Sequence, residues 1–313
     1  MLSLIGRRLA LSLPLLVIVP TVTFLLAALI PGDVARTILG ADATHAQYEQ
    51  LRQSLGLNEP LITRYLAWLG NALHGDLGTS LFWQQPVASL LDSRLQVTLS
   101  LVIGSTALAA AVGVVLGVAA ALRAGAAGKV VDAIALVGLA IPNFFLGLVL
   151  ITWFAVTLRL FPATGYVPVS QSPAGWLSSV VLPVITLAVP GIAVIAKQTR
   201  DAMREVLDRP FIRTLRAAGV PVLSIIGKHA LRNAAIPVVT VTGLIFIGSL
   251  SGTVLVESVF ALPGLGGLVV QATSQHDLPL IQGVAVYFTV AVICVNLLVD
   301  LTYSWLDPRV RVS

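Results

Sequence analysis

An all-α protein that crosses a membrane several times is the fold class predicted for these 313 residues. Three observations predict it. Mean hydropathy is +0.95, and 11% of residues are charged, against about 25% in soluble domains. Six apolar runs are each long enough for a bilayer core of about 30 Å, which takes about 20 helical residues. The charges collect between those runs, most densely from Arg200 to Arg232.

The runs are Leu9–Ile30, Val97–Leu122, Ala133–Leu158, Leu177–Ala196, Ala234–Val256 and Leu278–Val299, and none contains Asp, Glu, Lys, Arg or His. One charge at a span centre costs about 2.5–3.5 kcal/mol on insertion scales, so six charge-free runs form a consistent pattern. The first run follows Arg7 and Arg8 as a signal peptide would. Its 22 residues, ending in Ile-Pro-Gly-Asp33, are too many for an h-region and carry no small-x-small site, so it is expected to be retained.

With the N-terminus inside, 14 Lys and Arg face inward (7, 8, 123, 129, 197, 200, 204, 209, 213, 216, 228, 232, 309 and 311) and 5 outward (36, 52, 64, 94 and 159). The positive-inside rule therefore places both termini in the cytoplasm. Residues 1–96 form the first span plus an extracytoplasmic helical insertion. Residues 97–313 form a five-helix core with a cytoplasmic loop at 200–233.

Within the insertion, Asn58-Glu-Pro60 reads as a helix start, and Leu61, Tyr65, Trp68 and Leu69 give an apolar face. A further helix is expected between Thr44 and Leu55. Two segments read as irregular: Phe161–Trp176, with three prolines, and Phe260–Asp277, around Pro263-Gly-Leu-Gly-Gly267. Pro142-Asn143 in the third span, and Pro183 and Pro190 in the fourth, should kink or break their helices. Such breaks line pathways in many transporters, which makes Pro142, Asn143 and Pro190 candidate lining residues. Gly104, Ser105, Gly113 and Gly117 allow close helix approach. Glu257 closes the fifth span, with snorkelling to water as one reading and contact with a substrate amine as another.

The charged island is the strongest signal. Phe211 and Leu215 lie four apart on one helical face, while Arg213 and Arg216 leave by others. Gly219 suits a left-handed helix end, and Pro221 blocks continuation. This amphipathic helix fits either a groove on a partner protein or a bed of anionic headgroups.

Other function classes lose their footing. The net charge of +5 is spread over loop ends rather than clustered on a soluble face, which argues against nucleic-acid binding. No Gly-x4-Gly-Lys-Ser/Thr occurs, since Gly128-Lys129 precedes Val and Gly227-Lys228 precedes His; P-loop ATP hydrolysis is excluded. Cys294 is the single cysteine. His45, His74, His229 and His276 all fall in loops, without metal-ligand spacing or an intramembrane serine partner. A proton-coupled carrier usually buries ionisable residues at mid-membrane; the spans here offer none, although a passive pore stays open.

Arg213-Thr-Leu-Arg-Ala-Ala-Gly219, followed by Lys228-His-Ala-Leu-Arg-Asn-Ala-Ala-Ile-Pro237, resembles the coupling loop of ABC importer permeases, in the branch that imports dipeptides, oligopeptides or nickel complexes. Ile30-Pro-Gly-Asp33, Leu55-Gly-Leu-Asn-Glu-Pro60, Gly75-Asp-Leu-Gly-Thr-Ser80, Glu257-Ser-Val-Phe-Ala-Leu-Pro-Gly-Leu-Gly266, Asp277-Leu-Pro279, Gly283 and Asp307-Pro-Arg309 carry the resemblance along nearly the whole chain. Two positions depart from it. Arg213-Thr-Leu215 replaces the general family's Glu-Ala-Ala, and Val34 follows Asp33 where Pro is usual.

The resemblance implies a type I ABC importer permease with six spans and no catalytic, metal or cofactor site of its own. ATP and Mg would bind partner ATPase subunits. The implied partners are a second homologous permease, two ATPases, an extracytoplasmic solute-binding protein and membrane lipid. The ATPase-coupling residues are then Phe211, Arg213, Leu215, Arg216, Ala217 and Gly219. Glu257, Pro263, Gly264, Gly266 and Asp277 are expected at the outer gate or the binding-protein contact. Cargo is expected to be a di- or oligopeptide, with a nickel chelate or another small solute as the alternative.

Overall fold

The computed structural model describes residues 2–30, 32–40, 42–123, 133, 138 and 140–306. The described residues are helical apart from loops and one isolated bridge between Thr79 and Pro86. The long helices are α1 (Leu2–Ala28), α5 (Val87–Leu122), α7 (Pro173–Leu207), α9 (Leu231–Val259) and α11 (Leu278–Leu306). Counting the turns Val222–Ser224 and Ile225–Ala230 that lead into α9, five helices among the described residues are long and apolar enough to cross a membrane. At 1.5 Å per residue, the 36 residues of α5 reach about 54 Å, well beyond a hydrocarbon core of about 30 Å.

The third expected span lies partly outside the described residues. Its described part is α6 (Asn143–Leu150), continued by a π-helical stretch, Ile151–Thr157. Pro142 caps α6 in extended geometry, so the helix does start afresh there. Pro183 and Pro190 do not break their helix: both lie inside a continuous α7. That helix also starts earlier than its apolar run, with Pro173 in its first turn and Ser172 Oγ accepting from the Gly175 amide at 3.1 Å.

The chain divides into two compact units, 99–262 with 294–313, and 2–98 with 263–293. A sequence division at 96/97 leaves 263–293 with the core. The packing groups it with the N-terminal part.

In the first unit, small residues set the helix spacing. A side chain at Gly113 would meet Ile195 at 2.8 Å, and one at Gly117 would meet the Ala196 carbonyl and Thr199 at 2.5 Å. α5 and α7 therefore pack nearly backbone to backbone, the contact mode that drives association where lipid removes the hydrophobic gain. Gly191 against Ile245 of α9 and Gly243 against Val299 of α11 repeat the arrangement.

The second unit contains α1 to α4, the start of α5, α10 (Leu265–Ser274) and the start of α11. α2 is Val34–Leu39, α3 is His45–Ser54 and α4 is Leu61–Ala72. Thr44 and Gln47 form a reciprocal capping box at α3. α4 begins at Pro60 and not at Asn58; the Asn58 side chain accepts from Arg52 Nε at 2.9 Å instead. Phe24 of α1 packs on Tyr65, whose hydroxyl also hydrogen-bonds Thr21 at 2.5 Å. The buried core is Trp68, Leu77, Val87, Leu91, Leu265, Leu268 and Leu280, with their neighbours.

Phe260–Asp277 is not irregular as its glycines suggest. Leu265–Ser274 is helical, capped at its start by Gly264, and the Leu265 amide donates to Thr98 Oγ1 at 2.9 Å. Gly266 and Gly267 sit in the first turn of that helix. Glycine marked a loop only statistically; Leu265, Leu268 and Ala272, which share a buried face, decide the conformation.

Candidate functional site

α8 (Pro210–Ala217) forms the centre of the charged island. Pro210 opens it with a preset φ, and Arg209 is the N-cap residue. Its end is a Schellman motif. The Val220 amide donates to the Leu215 carbonyl and the Gly219 amide to the Arg216 carbonyl, both at 3.1 Å, with Gly219 at φ +75°. Gly219 and Pro221 thus end the helix as the sequence reading expects.

The side chains of α8 divide by burial. Ile212 is the buried anchor, with 0% exposure, and Leu215 is half-buried. Phe211 is 38% exposed. Ile212 is therefore the residue that α8 buries, and Leu215 is partly covered between it and the exposed Phe211. The signal for Ile212 was its own apolarity, masked by Arg213 beside it.

Arg213, Arg216 and Ala217 are exposed. Val222 and Leu223, just beyond the cap, are exposed at 68% and 84%, and sequence reasoning did not single them out. Arg209 pairs with Glu205 at 2.8 Å on the surface, which adds about 0.3–0.5 kcal/mol at most. Arg200 is buried and pairs with Asp201 at 2.8 Å. Arg204 donates to the Ala120 carbonyl at 3.3 Å. Ala202, Met203 and Val206 of α7 pack with Ala230 and Ala234 at the head of α9. α8 thus stands between two helices that are locked together at their base.

α8 is tied at both ends to long helices. Its backbone is continuous with α7 through Asp208 and Arg209, whose amides bond Arg204 and Val206. Its other end reaches α9 through the π turn Ile225–Ala230. α8 is thus joined through short segments to both long helices.

The remaining candidates are scattered. Among the five placed at an outer gate or binding-protein contact, only Pro263 is exposed; Gly264, Gly266 and Asp277 are buried, and Glu257 is 1% exposed. Glu257 therefore does not snorkel to water. Asp277 is a structural clamp: it accepts from Ser80 Oγ at 2.5 Å, from the Phe82 amide at 3.2 Å and from the Leu280 amide at 3.3 Å. Asn143 is half-buried at the start of α6, with its amide nitrogen 3.4 Å from where a side chain on Gly252 would begin. Pro190 is half-buried inside α7, and Pro142 is exposed. Among the described residues no group of His, Cys, Asp and Glu could hold a metal ion.

Residues 113–312 match the family described as the inner membrane component of binding-protein-dependent transport systems, and residues 1–102 match that component's N-terminal family. The chain belongs to this family. It is a multi-pass protein of the inner membrane and the permease component of its transporter. A Brucella abortus (strain 2308) protein named as a peptide transport system permease is 43% identical over 312 residues, 99% of each chain. The glutathione transport system permease protein of Pectobacterium atrosepticum is 39% identical over 312 residues, again 99% of each. The oligopeptide transport system permease protein of Bacillus subtilis is 36% identical over 317 residues, 99% of this permease and 100% of its relative.

Proposed function

We propose that this permease forms, with a second related permease, the pathway by which an ATP-driven importer carries peptides into the cell. The relatives' names supply the cargo class: peptide, oligopeptide and glutathione, itself a tripeptide, recur among chains that align end to end. None of these three names a nickel complex. The excess of Lys and Arg between α7 and α9 supports a cytoplasmic position for α8, with both termini inside and α2–α4 outside.

The observation that carries the mechanism is the split of α8 into a buried anchor and an exposed working face. Ile212 fixes the helix to its own protein, while Phe211, Arg213 and Arg216 stay available. An ATPase subunit grips that face, with Phe211 filling an apolar slot and the arginines meeting carboxylates or carbonyls. Leu215, Ala217 and Gly219 hold the face in shape. Two ATPases close on ATP and Mg, and α8 passes the movement to α7 and α9. An extracytoplasmic binding protein delivers the peptide to the opposite side, where exposed Pro263 is a contact and Glu257, Gly264, Gly266 and Asp277 support it from within. The fresh helix start at Pro142-Asn143, and Pro190 within α7, are the pathway-lining candidates.

Co-purification tests this. Phe211→Asp should leave the permease inserted and stable, release the ATPase subunits and abolish uptake of a labelled peptide. Retained ATPases with normal uptake in that variant would sink the proposal. A wild-type complex that binds its ATPases yet imports no peptide would remove the cargo and keep the coupling.

A further inference from the structure

Outside the coupling region, a cavity lined by described residues has a distinct chemistry. It lies within the 2–98 and 263–293 unit, has a volume of about 610 Å³, and is lined by Gly32, Asp33, Arg36, His45, Tyr48 and His276 among others. That volume falls in the range of small-molecule sites, about 300–1,000 Å³.

Its charges are unequally committed. The Asp33 carboxylate is fully engaged: Oδ1 accepts from the Ala35 amide at 2.8 Å, and Oδ2 accepts from Tyr48 Oη at 2.7 Å and Arg52 Nη1 at 2.5 Å. Arg36 makes no ion pair among the described residues. Its guanidinium instead rests on the Tyr48 ring, 5.3 Å from the centroid, and Arg52 rests on the same ring at 5.5 Å. Asp42 and Glu49 do not line the cavity. The wall therefore presents one cation without an ion pair among the described residues, placed over an aromatic ring. The His45 and His276 rings add donor-capable nitrogens, and Leu39 and Ala43 add apolar surface.

We infer that this cavity binds the terminal carboxylate of a short peptide, with Arg36 as the fork that receives it. A guanidinium over an aromatic ring, with no carboxylate of its own among the described residues, keeps its N–H fork, which pairs best with a carboxylate. Leu39 and Ala43 then lie against the peptide's last side chain. The inference rests on the reading of this permease as part of a peptide importer. It gives the extracytoplasmic helices a role in holding cargo, separate from docking the protein that delivers it.

The test uses the assembled transporter in nanodiscs, without its binding protein. A fluorescent tripeptide with a free carboxyl terminus is compared with its C-terminal amide. The free acid is expected to bind at least about tenfold more tightly, the effect of roughly one charge-assisted hydrogen bond. Arg36→Gln is expected to erase that ratio, and Arg36→Lys to restore only part of it. Equal binding of acid and amide by the unaltered complex overturns the inference, whatever the variants do. An Arg36→Gln complex that keeps the ratio overturns it too.

A second arm measures docking of the binding protein. Loss of docking in Arg36→Gln with an unchanged acid-to-amide ratio would assign the cation to a protein carboxylate and reject a peptide site. Peptide uptake by the wild-type transporter is measured alongside. Uptake without the acid preference refutes this site alone, whereas absent uptake refutes the importer reading.

Discussion

Replacing Gly219 isolates what the end of α8 contributes. Gly219 sits at φ +75°, and a methyl added there would have nothing within 4 Å. Gly219→Ala therefore introduces no clash. Its whole cost is the left-handed conformation, about 1–2 kcal/mol for a residue with a Cβ. That is a factor of roughly 5–30 in a local equilibrium. The two amides of the Schellman motif, Gly219 and Val220, should lose hydrogen-exchange protection by that factor, while α7 and α9 keep theirs. Peptide uptake should fall with it, because a frayed helix end transmits force poorly. Gly227→Ala is the control: Gly227 also has open space around it, with no positive φ, and it should behave as wild type. Gly219→Asn should lie between, since Asn tolerates the left-handed region better. Equal exchange and equal uptake for the two alanine variants would refute the reasoning.

Other expected outcomes concern burial and charge. Ile212→Ala should destabilise α8 by about 2–5 kcal/mol, read as a lowered melting temperature in detergent, whereas Phe211→Ala should leave stability nearly unchanged and weaken ATPase retention. Ser80→Ala leaves the buried Asp277 carboxylate one donor short and should cost about 1–3 kcal/mol, measured by thermal unfolding; an unchanged midpoint contradicts the clamp. Gly32→Ala would drive a methyl into the His276 ring, so exchange protection should drop around both residues with no change at α8. Burial pushes the Asp33 carboxyl up, but hydrogen bonds from Tyr48 and the Ala35 amide, with the charge of Arg52, outweigh it and hold it below its ordinary value of 3.8. A depressed carboxyl stabilises the fold above its unfolded value, and that contribution disappears as pH falls through the folded one. Wild type should therefore lose stability relative to Asp33→Asn as pH drops below about 4, followed by tryptophan fluorescence. Parallel curves would exclude the network as a source of stability.

Local chemistry made much of this permease legible. Thr44 with Gln47 wrote the start of α3, and Gly219 with Pro221 wrote the end of α8, because a cap depends on residues within one turn. Apolar length placed the long helices. Their true ends lay beyond the apolar runs: α7 runs from Pro173 to Leu207, since helical hydrogen bonding continues through polar residues that hydropathy discards. The misreadings share a cause. Gly266 and Gly267 looked like loop, and one reading of Glu257 sent it to water. Each was judged from its own type or its spacing within a short segment. Which residue of α8 is buried depends on the surface lying against the helix, and Ile212 takes that place.

By itself the sequence determined that this is a multi-pass helical permease, where its charges collect, and that it carries no P-loop. Those properties follow from composition and short-range order, which need no knowledge of what lies opposite. Only the tertiary structure decided which face of α8 is anchored, that Asp277 clamps residues 80–82 to the start of α11, and that Asp33 is spent on Arg52 while Arg36 has no ion pair among the described residues. Such assignments join side chains up to about two hundred positions apart. Their energies depend on distance and burial, which sequence order does not contain.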